Sequence, residues 1–347
     1  MTTTPVPGTE PGGWMAREIA EQPQVLDALA RDRSAVARVA EHVRRFRPRF
    51  VLFAARGSSG HAALYGKYLV EVQLGLPAGA VSPSTTTLYG ADPDLRDVLL
   101  VAVSQSGGSP DLVEVTESAR RRGALTVAVT NTADSPLGSA AEHVLDIGAG
   151  PERAVAATKT YTASLLALSL LVSEIRGGVS PDVDRIGELA QRCLDDNAER
   201  VDAAAHRLRF AERIVTTARG YSLASAAETG LKLAETSYLV TRSYSGADLL
   251  HGPIAAVGSD TVVLAFCGGG PGGTTMSDVL DQVSRRGADV LRVGPTATHD
   301  LVVPALDEDL APVLEILPLQ RLAWRLAVAR GLNPDQPAGL RKTTETR

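Results

Sequence analysis

The sequence predicts an α/β protein made of two tandem copies of one unit, each a parallel sheet with helices on its faces. Three observations predict it. Short apolar runs alternate with helix-like stretches along most of the 347 residues, the pattern of parallel strands joined by helical crossovers. Aromatic residues are scarce at 4%, and Ala, Val and Leu dominate, which suits helices on strands better than a β-sandwich. The third observation is internal repetition. A-R-G-S-S (55–59) is echoed by A-R-G-Y-S (218–222), D-V-L-L-V-A-V (97–103) by T-V-V-L-A-F (261–266), and R-R-G-A-L-T-V (121–127) by R-R-G-A-D-V-L (285–291). The three matches keep nearly one offset, as tandem copies do.

The elements follow in order. The opening M-T-T-T-P-V-P-G-T-E-P-G-G is polar and rich in Pro and Gly; it reads as a flexible leader over 1–13, with neither the basic nor the apolar region of a signal peptide. Residues 14–46 read as helical, interrupted near Pro23. R-F-V-L-F-A-A (49–55) reads as a buried strand closed by Gly57, followed by a helix over 62–74. D-V-L-L-V-A-V is the second strand, with a helix starting near Pro110. L-T-V-A-V-T (125–130) and H-V-L-D-I (143–147) are the third and fourth, and a long helix covers 157–175. A helical segment over 181–208 joins the copies. The expected division is N-terminal helices plus first copy over 14–200 and second copy plus tail over 201–347.

Bulk composition narrows the function. The chain is 44% hydrophobic and 22% charged with a formal net charge of −5. That is ordinary globular composition without the basic footprint of a nucleic-acid binder. An anionic substrate must therefore meet local donors. The two cysteines, Cys193 and Cys267, stand far apart, so neither a disulfide framework nor a zinc site is expected. No apolar run spans a bilayer. The expectation is a soluble cytoplasmic protein.

The copies diverge where chemistry is expected. After its second strand the first has S-Q-S-G-G-S (104–109), whereas the second has C-G-G-G-P-G (267–272). In open α/β sheets, ligands sit at the carboxyl ends of strands. Ser104, Gln105, Ser106 and Ser109 fall there, just before a helix whose unpaired N–H groups and dipole favour an anion. Ser109 before Pro110 also reads as a plain helix N-cap, which leaves the three residues at 104–106 unexplained. The loop is therefore read as a phosphate cradle. Beyond it, L-K-L-A-E (231–235) and L-L-H-G-P (249–253) bring Lys232, Glu235 and His251, and P-A-G-L-R-K ends at Lys342. Alone, Glu235 and Lys232 would be solvated helix residues, His251 a turn residue and Lys342 part of a disordered tail.

Taken together, S-Q-S-G-G-S, A-V-A-A-T-K (154–159), L-K-L-A-E-T-S-Y (231–238), H-G-P and N-P-D-Q-P-A-G-L-R-K (333–342) resemble the double-SIS (sugar isomerase) family. That family includes the isomerase half of glucosamine-6-phosphate synthase and the SIS-type glucosamine-6-phosphate deaminases. The resemblance implies two flavodoxin-like three-layer units and assigns roles. Glu235 would be the base that moves a proton between C2 and C1. His251 would assist ring opening, reaching the site from the partner subunit of a homodimer. Lys342 would approach the C1/C2 end of the open chain, and Lys232 would influence Glu235 from one helical turn away. Ser104, Gln105, Ser106 and Ser109 would hold the 6-phosphate, with Ser59 lining the same pocket. Ala157 stands where the synthase branch usually has Ser, and Ala234 where it usually has Lys. With M-T-T-T at the start and no glutaminase cysteine there, glutamine-dependent amination is not expected of the chain alone.

The resemblance implies a phosphorylated amino sugar as partner, and first a glucosamine-6-phosphate deaminase yielding fructose 6-phosphate and ammonia, with no metal or organic cofactor required. A lyase dehydrating N-acetylglucosamine 6-phosphate shares the first half-reaction. Another SIS aldose/ketose isomerase or deglycase is a third reading. A non-catalytic sugar-phosphate sensor is the fourth, disfavoured because the chain shows no basic helix-turn-helix.

Overall fold

A computed structural model describes residues 10–342. The chain forms two compact units. The first takes in Val25–Pro151 and Thr160–Arg185; the second takes in the described residues up to Gln24, Glu152–Lys159 and Ile186–Lys342.

The first unit is a five-stranded sheet of β1 (Phe50–Ala55), β2 (Ala78–Ala80), β3 (Val98–Ser104), β4 (Leu125–Thr130) and β5 (His143–Asp146). The spatial order is β2-β1-β3-β4-β5, every pair parallel. Leu125–Thr130 is buried at all six positions, as expected of a central strand covered on both faces. On one side Leu100 and Ala102 of β3 pack with Leu112, Val115 and Ala119 of the helix Pro110–Arg121. Val51 pairs with Leu99 across the centre of the ladder. The chain goes from β1 outward to β2 and then back across to β3. The carboxyl ends of β1 and β3 therefore flank the point where strand order reverses, which is where open α/β sheets bind ligands.

The second unit repeats that topology. Its strands are β6 (Arg213–Ala218), β7 (Val240–Ser245), β8 (Thr261–Phe266), β9 (Asp289–Gly294) and β10 (Leu301–Val302), ordered β10-β9-β8-β6-β7 and all parallel. Read from the other edge, this is the order of the first sheet. Helix Leu223–Ser237 packs on β6 and β7 and against helix Ala311–Ala329, which buries Leu314, Ile316, Leu317, Leu319 and Leu322. Two α/β units with parallel sheets are what the repeats predicted.

Several boundaries differ from expectation. The helical run at the start is three helices, Gly13–Ala20, Gln22–Arg31 and Ser34–Phe46. The break comes before Pro23, because a proline fits the first turn of a helix where its missing N–H has no intrahelical acceptor. The helix expected over 62–74 begins at Gly57 and ends in a π-helical turn, Val70–Leu74. The strands β2, β7 and β10 lacked the continuous apolar runs that identified the others. No helix among the described residues is long and apolar enough to cross a membrane.

Candidate active site

The serine loop leaves β3 at Ser104, whose side chain is buried. Its hydroxyl oxygen accepts from the Gly107 N–H at 3.2 Å, and that of Ser106 accepts from the Gly108 N–H at 3.2 Å. A hydroxyl that accepts in this way keeps its own O–H to donate, so the loop backbone aligns both serines as donors. The Gln105 carbonyl accepts from the Asn131 N–H at 3.1 Å and that of Gly107 from the Leu137 N–H at 3.0 Å. Gly107 has φ of 62°, and a Cβ there would stand 2.0 Å from the Ser135 hydroxyl. Only glycine fits. Ser109 occupies the N-cap position before Pro110, yet its side chain makes no capping hydrogen bond. Capping therefore does not use its hydroxyl.

Ser59 lies half-buried in the first turn of the helix after β1, on the other strand that flanks the reversal point. Arg56 opens that turn. Its guanidinium grips the buried Asp111 carboxylate through Nε at 2.9 Å and a terminal nitrogen at 2.8 Å. The Asp111 carboxylate also accepts from the Leu112 N–H at 2.9 Å. The acidic residue in the first turn of the helix Pro110–Arg121 is thus paired with an arginine from the neighbouring loop.

In the second unit, helix Leu223–Ser237 carries Glu228, Lys232 and Glu235 at i, i+4 and i+7, one face of a helix. Lys232 Nζ lies 3.4 Å from Glu228 and 2.5 Å from Glu235. Lys232 and Glu228 are sealed from solvent at 1% and 0% side-chain exposure, while Glu235 keeps 23%. Burial pulls the Lys232 ammonium down, but the carboxylates of Glu228 and Glu235 outweigh it and hold the group above the ordinary lysine range. The outcome is a fixed internal cation with one accessible carboxylate against it. The helix can sit this close to the sheet because of Gly230, where a Cβ would be 2.7 Å from Ser243 Oγ.

The tail is ordered by specific contacts. Asn333 accepts from the Gly12 N–H, and the Asp335 carboxylate accepts from the N–H groups of Trp14 and Met15 at 3.0 and 2.8 Å. It thus caps the first helix with a side chain far along the sequence. Ala338 donates its N–H to Tyr238 Oη at 2.7 Å, just past the end of the helix that bears Glu235. Lys342 then pairs with Glu152 at 2.6 Å and donates to the Ala154 carbonyl at 2.7 Å.

The corresponding place in the second copy is lined differently. The Gly272 N–H donates to Glu308 at 2.9 Å, and buried Glu315 accepts from Ser222 and Ser225 at 2.8 and 3.0 Å. Carboxylates thus occupy the reversal point of this sheet. Burial pushes Glu315 up to about 7, with the Glu308 charge adding to the rise and the two serine hydroxyls opposing it.

The family model of the SIS domain matches residues 47–174 and 207–302, one match on each sheet. The chain belongs to the SIS domain family. Among curated relatives, glutamine–fructose-6-phosphate aminotransferase [isomerizing] of Methanothermobacter thermautotrophicus is 33% identical over 346 residues, covering 96% of this chain and 58% of that protein. The namesake from Thermococcus kodakarensis is 32% identical over 349 residues, covering 95% and 57%. The chain thus spans a little under three fifths of the length of these relatives. A solved structure from Silicibacter pomeroyi DSS-3, provisionally named a phosphosugar isomerase, is 36% identical with a TM-score of 0.77, covering 93% of this chain and 99% of that one. Glucosamine-6-phosphate deaminase from Thermotoga maritima shares the fold, with a TM-score of 0.81 at 23% identity and coverage of 96% and 100%.

Of the SIS-family residues expected from sequence, Lys232 and Glu235 form one cluster and Lys342 is ordered by Glu152. Ser104, Gln105, Ser106 and Ser109 form one loop. Ala157, half-buried in the segment Glu152–Lys159, offers only a methyl group. His251 is exposed at the end of the short helix Gly246–Leu250, and its side chain makes no ion pair or hydrogen bond with the Lys232–Glu235 pair. Sequence reasoning missed Glu18, Glu152, Glu228 and Arg56. The spacing of Glu228 to Lys232 was a usable signal for one of them.

Proposed function

We propose that this SIS protein acts on an amino-sugar 6-phosphate by ring opening and C2 deprotonation, converting glucosamine 6-phosphate and water to fructose 6-phosphate and ammonia. The observation that carries the reading is the accessible Glu235 carboxylate held 2.5 Å from the buried Lys232 ammonium. A base for C–H chemistry must be oriented and must keep its partner when its own charge changes. Here Lys232 retains Glu228 as counter-charge after Glu235 takes a proton.

His251 assists opening of the pyranose to the aldehyde, as a histidine suits near neutral pH. Glu235 takes the C2 proton, the electron pair forms the C1–C2 double bond, and the carbonyl pair moves onto O1, which takes a proton from water to give an enol amine. The protonated Glu235 returns its proton to C1 and the nitrogen gives one back to water, leaving a hydroxymethyl group at C1 and an imine at C2. Water adds at C2 and ammonia leaves. The serine loop holds the 6-phosphate through the hydroxyls of Ser104, Ser106 and Ser109 and the N–H groups that open the helix at Pro110, and Lys342 attends the open-chain end. In this reading the protein is a homodimer whose His251 serves the partner's site.

The test is incubation with glucosamine 6-phosphate and, separately, its N-acetylated form, measuring ammonia, fructose 6-phosphate and loss of water by mass. Ammonia and fructose 6-phosphate in equal amounts from the first support the reading. Loss of water from the second substrate alone replaces it with a lyase. Turnover of neither sinks both.

A further inference from the structure

The segment Glu152–Lys159 is pinned from several sides, and Glu152 is the point at which the tail meets it. The Glu152 side chain is 0% exposed. One oxygen accepts from the Thr158 N–H at 2.9 Å and the other from Lys342 Nζ at 2.6 Å. Behind it, the buried Glu18 carboxylate accepts from the N–H groups of Arg153 and Ala154, and the Asp335 carbonyl accepts from the Val155 N–H at 3.0 Å. A carboxylate this deep needs a counter-charge, and Lys342 supplies it. Glu152 also acts electrostatically on Lys232, so its charge is felt at the Lys232–Glu235 pair. Burial pushes Glu18 up to about 7, the Glu152 charge adds to this, and the Arg153 N–H and Lys342 oppose it.

We propose that Glu152 is a positioning residue for the tail amine: its buried carboxylate latches Lys342 in place, and Glu18 braces the loop that carries the latch. A long lysine at the end of a polar tail samples many rotamers. The latch reduces these to one placement and draws the strap 333–342 over the helix that bears Glu235. For its kinetic arm alone the inference rests on the proposed reaction.

The test uses the full chain and two readouts. Glu152→Gln keeps the shape and an acceptor for Thr158 but removes the charge; Lys342→Met removes the other half of the pair. Hydrogen exchange of the tail, including the Ala338 amide on Tyr238, is expected to quicken about tenfold or more in each variant, beyond any change at the buried strand β8 of the same unit. With glucosamine 6-phosphate, Glu152→Gln should lower kcat more than it raises KM. Adding it to Lys342→Met should cost nothing further, because one residue acts through the other. Unchanged tail exchange in both variants, or losses that multiply in the double variant, overturns the proposal. If no phosphosugar turns over, the reaction reading fails, and tail exchange still decides the latch. If Glu152→Gln does not fold, tail exchange in Lys342→Met alone decides it.

Discussion

Substituting Lys232 by methionine should weaken the second unit strongly, and only where carboxylates are charged. Methionine matches the length and apolar stem of lysine and removes the ammonium. What remains is Glu228, whose side chain is 0% exposed, and Glu235 at 23%. Removing one partner of a buried ion pair costs about 3–5 kcal/mol, because the other charge loses that counter-charge in a poor dielectric. Glu228 can escape by taking a proton, which fixes the sign of the pH dependence. An acid whose folded pKa lies above its unfolded value is unpenalised below the unfolded value, and the penalty grows as pH rises through the interval. The variant should therefore approach wild type near about pH 4.5 and show the full deficit of about 3–5 kcal/mol near about pH 8. Both tryptophans, Trp14 and Trp324, lie in this unit, so fluorescence-monitored urea unfolding reports on it alone. Adding Glu228→Gln should recover much of the loss. A deficit below about 1 kcal/mol at high pH, or one independent of pH, would show that Lys232 contributes packing rather than charge.

Other outcomes can be checked alongside. Glu235→Gln should lower turnover and exchange of the substrate C2 proton with deuterated water by about 10²–10⁴-fold while sparing affinity; exchange at the wild-type rate would place the base elsewhere. Gly107→Ala should cost about 1–2 kcal/mol for the left-handed backbone alone, and more from the Ser135 contact, and should weaken binding of inorganic phosphate; calorimetry showing unchanged affinity would remove the serine loop from the site. Glu315 sits at about 7 against 4.5 unfolded, so it favours the folded state at low pH and loses that advantage as pH rises between those values, by on the order of 3 kcal/mol. Glu315→Gln should flatten the stability profile over that window, although Glu18 supplies a second share; parallel profiles would refute the assignment. Mixed Glu235→Ala and His251→Ala subunits should regain activity by exchange, and no rescue despite proven exchange would keep His251 out of its partner's site.

The sequence by itself determined the α/β class, the tandem repeat and the strands whose two faces are both buried. A central parallel strand such as β4 or β8 needs apolar residues at every position, and that run is visible without coordinates. It also marked the serine loop as a candidate, because three hydroxyls and two glycines stand between a strand and a helix where one N-cap residue would suffice. Edge strands escaped it: β7, V-T-R-S-Y-S, is only partly covered and carries no continuous apolar signature. The remainder belonged to tertiary structure. Glu152 meets Lys342 across 190 residues and Glu18 meets Arg153 across 135, and no local periodicity encodes such pairs. A carboxylate reads as a solvated surface residue until folding seals it from water. Only then does it require a partner, which Lys232 supplies to Glu228, Lys342 to Glu152 and Arg56 to Asp111.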